Sequence, residues 1–121
     1  MSAGIYDITI DQGSDFKLTL VVKDGDSPRN LTDYTARGHL RTSMDTATYF
    51  PFDFTDSTYD SNGTLIMKLP YNAPDNHGHA GHLTDGNYFY DVEIYKGSEG
   101  SETEVERILQ GKAKVTREVT R

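Results

Sequence analysis

The stretch Asp15–Lys23, D-F-K-L-T-L-V-V-K, constrains the fold of this chain more than any other. Phe16, Leu18, Leu20 and Val22 fall on one side of an extended strand, and Lys17, Thr19, Val21 and Lys23 on the other. Side chains alternate between the two faces of a strand, so this pattern gives one apolar face and one mostly wet face. A helix would scatter the four apolar residues around its axis. The rest of the chain must therefore supply further strands to cover that row.

It does so at regular intervals. Gly4–Ile10 reads as a strand, followed by the turn cluster Asp11–Ser14. Asp24-Gly25 marks a hairpin, prolonged by Ser27–Asn30 into a connection longer than two residues. In Thr35–Arg41, Ala36, Gly38 and Leu40 share a face with Tyr34, and the small pair leaves room for large side chains opposite. Tyr49–Phe54 contains Pro51, which cannot donate to a ladder, so it reads as an edge strand or an extended arm. Thr64–Leu69 turns Leu65, Met67 and Leu69 inward. Tyr71–Gly86 is irregular, with room for one short helical turn. Asn87–Lys96 turns Tyr88, Tyr90, Val92 and Ile94 to one side and Phe89, Asp91, Glu93 and Tyr95 to the other. Val105–Thr120 is a long last strand, with Val105, Leu109, Ala113 and Val115 on one side and Gly111 marking a bulge or a close backbone approach. About seven strands with almost no helix predict an all-β fold. The expected form is a single antiparallel two-sheet β-sandwich over residues 1–121, immunoglobulin-like or jelly-roll-like.

Such a core is thin: hydrophobic residues are only 35% of the 121. Burial against partner subunits, including copies of the chain itself, is the expected supplement. The net charge of −7 argues against nucleic acid and anionic membranes as partners. The charge is unevenly spread. Residues 105–121 hold five basic and two acidic side chains, +3, which leaves −10 for residues 1–104. A basic final strand on an acidic body suits docking to an acidic neighbour, although a strand's wet face also carries Lys and Arg simply to stay solvated. With no cysteine there is no disulfide, thiolate zinc site or thiol nucleophile. No basic start followed by an apolar run opens the chain, so synthesis without export is expected.

Candidate chemistry is sparse. His77, His79 and His82 form H-x-H-x-x-H, near Asp75 and Asp85, and such clusters can ligate zinc or nickel. A metal site needs its ligands held in fixed geometry, which a glycine-rich loop does not provide, so no metal and no cofactor is the preferred reading. Asp24-Gly25-Asp26 lacks the ligand run of a calcium loop. Asp53, Asp56 and Asp60 sit in turn-forming company. No nucleophile–base spacing, phosphate loop or dinucleotide fingerprint is present, so the chain is not read as an enzyme. Tyr88, Tyr90, Tyr95 and Tyr49 would stack bases only against the repulsion of Asp91 and Glu93. Contact with other proteins is the simpler use. The candidate interface residues are Tyr49, Phe50, Phe52, Phe54, Tyr71 and Tyr95, with the cations Arg107, Lys112, Lys114 and Arg117.

The succession Ile10–Asp26, Leu31–Arg41, Gly63–Leu69, Gly86–Ile94 and Arg107–Thr120 resembles the small β-sandwich virion proteins of tailed bacteriophages. It is also similar to the N-terminal domain of phage baseplate upper proteins, which anchor receptor-binding fibres. These motifs are strand and turn signals spanning nearly the whole chain. The resemblance implies a virion structural protein in a tail or baseplate, or a fibre adaptor, assembled in the host cytoplasm and partnered by other phage structural proteins. A capsid decoration protein and a receptor- or glycan-binding module are the alternatives. Baseplate upper proteins continue into a linker and fibre-binding parts; here the last strand ends near Arg121, so a stand-alone module is expected. Residues 43–62 and 70–85 are long for the pattern and read as arms that reach neighbours.

Overall fold

A computed structural model describes residues 4–43, 45–46, 49–70, 83–98 and 100–117. Among them there is no helix, and the chain is all-β as expected. The described residues form ten strands rather than about seven: β1 (Gly4–Ile5), β2 (Ile8–Asp11), β3 (Phe16–Val21), β4 (Lys23–Asp24), β5 (Ser27–Pro28), β6 (Thr35–Arg41), β7 (Phe50–Pro51), β8 (Thr64–Leu69), β9 (Gly86–Ser98) and β10 (Ser101–Thr116). The surplus is short strands of two residues each. The hairpin of β4 and β5 accounts for two of them. Lys23 pairs with Pro28 and Asp24 with Ser27, so its turn is the two residues Gly25-Asp26 and not a longer loop.

A six-stranded sheet in the order β1-β10-β9-β6-β7, with β2 also on β10, faces the small sheet β3-β8. The large sheet is mixed. Its interior ladders are antiparallel, but β1 and β2 run parallel to β10, with Gly4 opposite Leu109 and Ile8 opposite Ala113. Antiparallel pairing of every strand was the expectation. Consecutive apolar strands do not announce which distant strand they will join.

The alternation in each strand sets the core. Leu65, Met67 and Leu69 of β8 are fully buried against Leu40, Tyr88, Tyr90, Val92, Ile94, Ala113 and Val115 of the large sheet. Phe16, Leu18 and Leu20 pack against the same cluster but stay partly exposed. Val105 departs from the expected inward row and is 46% exposed. Irregularities between Glu102 and Glu104 and between Arg107 and Leu109 reset the facing of β10, so one alternation cannot run its whole length.

Two glycines make close approaches that side chains would block. A Cβ on Gly38 would stand 3.0 Å from the Asp91 carbonyl oxygen and 3.2 Å from the Phe52 ring. Phe52 and Phe54 fill that room; they are 7% and 6% exposed and belong to the core. Segment 49–54 is therefore not an arm reaching a neighbour. Pro51 pairs with His39 at the sheet edge, while the phenylalanines beside it insert between the layers. A Cβ on Gly111 would lie 2.2 Å from the Tyr6 carbonyl oxygen, where the chain runs beside β10 between β1 and β2. Tyr90, opposite Gly111, donates its hydroxyl to that same carbonyl. Burial first, then the charge of Asp7, pushes the Tyr90 phenol up to about 12. The close approach expected at Gly111 is thus present, and the bulges lie elsewhere.

Gly111→Ala is expected to lower stability by about 1–3 kcal/mol, the usual range for forcing atoms into a filled site. Met67→Ala is expected to lower it by about 2–5 kcal/mol through the cavity it leaves. Denaturant unfolding followed by circular dichroism measures both.

Candidate protein interface

The outward side chains of β6, β9 and β10 form transverse rows because the strands are antiparallel and in register. Arg37 lies opposite Glu93, and Glu93 opposite Arg107. His39 lies opposite Asp91, and Asp91 opposite Gln110. Arg41 lies opposite Phe89, and Phe89 opposite Lys112. Arg37 Nε bonds Glu93 Oε1 at 2.8 Å, and its guanidinium stands 4.6 Å from the Tyr95 ring centre. Tyr49 stacks on His39 with ring centres 4.0 Å apart, and the Arg41 guanidinium lies 5.1 Å from the same tyrosine ring. Arg41 Nη1 also donates to the Thr46 carbonyl at 2.6 Å. These contacts hold long side chains in place on the sheet's outer face.

A depression of about 550 Å³ opens beside them, lined by Ile5 and Asp7 on one side and His39 and Arg41 on the other. Phe89, Asp91, Gln110, Gly111 and Lys112 contribute further lining, with Arg107 among them. The close approach at Gly111 shapes this hollow. β1 and β2 lie along one edge of β10 there, and the Lys112 amide donates to Asp7 Oδ1 at 3.0 Å instead of to a ladder carbonyl. Ile5, 78% exposed, stands at the rim.

Burial shifts two cross-strand neighbours in the hollow. Desolvation first, then the Arg41 charge, lowers the pKa of His39 from 6.5, favouring the neutral ring. Desolvation first, then the charge of Glu93, raises that of Asp91 from 3.8, against the opposing pull of Arg107 3.5 Å away. Among the described residues, no carboxylate lies within ion-pair distance of Lys112, Lys114 or Arg117.

The sequence matches no protein-family model and no curated protein.

The structure distributes the expected interface residues unevenly. Tyr49, Arg107, Lys112, Lys114 and Arg117 are exposed. Arg107 and Lys112 meet in the hollow, and Tyr49 braces His39 beside it. Phe52 and Phe54 are core, and Phe50 is half-buried with its ring edge-on to Tyr88. Tyr95 points outward but is 8% exposed, covered by Arg37. Tyr71, His77, His79 and His82 lie outside the described residues. Asp53 and Asp60 are turn acids as read: Asp53 accepts from the Thr55 amide at 2.8 Å and Asp60 from the Asn62 amide at 2.9 Å. Ile5, Asp7, Arg37, His39, Arg41, Phe89 and Asp91 were not singled out in the sequence. The signal was there in the wet faces of two strands, since R-x-H-x-R run antiparallel to F-x-D-x-E aligns arginine with glutamate and histidine with aspartate.

Two titration effects follow. A raised carboxyl pKa gives stability below the unfolded value of 3.8 that is lost as pH rises through the folded value. Asp91→Asn is therefore expected to raise the melting temperature at pH 7, with the gain vanishing below pH 3.8. A lowered histidine pKa acts oppositely, removing stability as pH falls below 6.5. His39→Gln should flatten the decline in melting temperature from about pH 7 to pH 5. Thermal melts from pH 7 to below pH 3.8 read both.

Proposed function

We propose that the protein is a structural component of a tailed-phage particle, in the tail or baseplate, that docks neighbouring subunits through the outer face of its large sheet. The observation that carries this reading is the hollow beside Ile5. An isoleucine 78% exposed shares the hollow with Arg41, Arg107 and Lys112 in a chain of net charge −7. An apolar anchor with a braced cationic surround suits an acidic protein surface carrying an apolar knob. The ion pairs and stacks beneath it fix the side chains before any partner arrives, which reduces the ordering cost of docking. The phage setting rests on the strand and turn signals that resemble virion β-sandwich proteins. Docking, not turnover, is the activity proposed.

Peptides of this chain should be present in purified particles of the phage that encodes it. Labelling should place it at the tail end rather than over the head. Replacing Ile5→Asp together with Lys112→Glu should reduce incorporation about tenfold or more, the effect of losing a single anchor contact. Both positions are exposed, so the melting temperature should change little. Particles that lack the chain altogether would defeat the reading, and label spread over the head would move it to capsid decoration.

A further inference from the structure

Among the described residues, the small sheet is closed on one side and open on the other. Beyond β8, Asp53 and Lys68 exchange backbone hydrogen bonds of 2.9 Å each, which joins the sheet to the 49–54 segment. Beyond β3 no strand lies alongside among the described residues. The direction of the peptide groups on β3 is set by its neighbours. The Lys68 amide and carbonyl point to Asp53, so those of Met67 and Leu69 point to β3 and meet Leu18 and Phe16. At the other end the Val22 amide donates to the Gly63 carbonyl at 2.7 Å. Peptide groups alternate along a strand. Lys17, Thr19 and Val21 therefore aim their N–H and C=O groups at the open edge, while Phe16, Leu18 and Leu20 leave an incompletely buried apolar row beside it.

We propose that this edge pairs with the same edge of a second copy, antiparallel about a two-fold axis at Thr19. Odd registers are excluded because they would set one copy's apolar row level with the other's wet face. Of the even registers, an axis at Leu20 places Lys17 opposite Lys23, like charges face to face. An axis at Leu18 places Asp15 opposite Val21. Only the axis at Thr19 maps the three edge-facing residues onto themselves, Thr19 to Thr19 and Lys17 to Val21, each donating and accepting one bond. The same register sets Asp15 opposite Lys23 of the copy, twice by symmetry, and lays Leu18 beside Leu20. Edge lysines ordinarily discourage strand addition. Lys17 does not do so here, because its opposite number is a valine 52% exposed. The result is a continuous sheet β8-β3-β3-β8 across two copies, which widens the narrow layer of each sandwich. It does not depend on the phage reading: a monomer that still enters particles would defeat this proposal alone.

The chain has no cysteine, so Thr19→Cys is a clean reporter. Opposed hydrogen-bonded residues have Cα atoms about 5.5 Å apart, within disulfide range. Thr19→Cys should cross-link under mild oxidation at least about tenfold faster than Thr35→Cys, an exposed position on the large sheet. Sedimentation of the unmodified chain should show a concentration-dependent dimer. Val21→Lys, which sets two ammonium groups opposite each other, should weaken it about fivefold, and Val21→Glu should strengthen it. Thr19→Pro removes an outward N–H and leaves the β8 ladder intact, so it should give a monomer with an unchanged strand spectrum. If Thr19→Pro fails to fold, the Val21 pair still reads the interface at an exposed position. A wild-type monomer up to about 1 mM overturns the proposal. So does a dimer indifferent to the Val21 variants, or a Thr19→Cys cross-link no faster than the control.

Discussion

Phe52 holds the two layers together. Its ring centre lies 6.3 Å from that of Phe16 on the small sheet and 6.2 Å from that of Tyr90 on the large one, the second contact nearly edge-on. Backbone on either side of it is committed to different sheets: Pro51 pairs with β6 and Asp53 with β8. Within three residues the chain passes from one layer to the other and plugs the gap with an aromatic ring. Gly38 makes this possible, because any side chain there would occupy the space of that ring. One flank of the sandwich is thereby sealed by covalent chain and aromatic packing.

The opposite flank is organised differently. There the large sheet ends in β1 and β2 and the small sheet in β3, with no strand shared between them among the described residues. Polar groups stand in where continuous ladders would normally run. Asp7 accepts the Lys112 amide, the Tyr90 hydroxyl reaches the Tyr6 carbonyl, and Gln12 donates to the Leu83 carbonyl at 2.7 Å. Farther along, Arg29 grips Glu106 with 2.8 Å contacts and also bonds the Tyr34 hydroxyl. An irregular backbone of this kind is tolerated where its polar groups find partners. It also produces concave relief on an otherwise pleated surface, which is where the proposed docking hollow lies.

Much of this was legible in the sequence wherever a period of two ran unbroken. The inward rows of β6, β8 and β9 are those read from alternation, residue for residue, because a strand with one buried face leaves no freedom about which residues point in. The reading failed where facing depends on something non-local. Val105 is cut off from Leu109, Ala113 and Val115 by the register irregularity between Arg107 and Leu109, which no local signal in β10 marks. Phe52 and Phe54 look like an exposed arm until Gly38, fourteen and sixteen residues earlier, is seen to make room for them. Tyr95 has the alternation of a surface residue and is covered only because Arg37 lies over it from the neighbouring strand. For the interface the charges were visible but their pairing was not, since cross-strand partners such as His39 and Asp91 are known only once the register is.

The parallel pairing of β2 with β10 has a consequence for how the molecule is made. Asp11 and Thr116, bonded through their side chains, are 105 positions apart in the chain, as are Asp7 and Lys112. A chain emerging from the ribosome N-terminus first must keep β1 and β2 waiting, with Ile8 and Ile10 unburied, until the last strand arrives. Closing so long a loop is entropically slow, and topologies dominated by such contacts fold late and all at once. The first strands to be synthesised are therefore among the last to find their place.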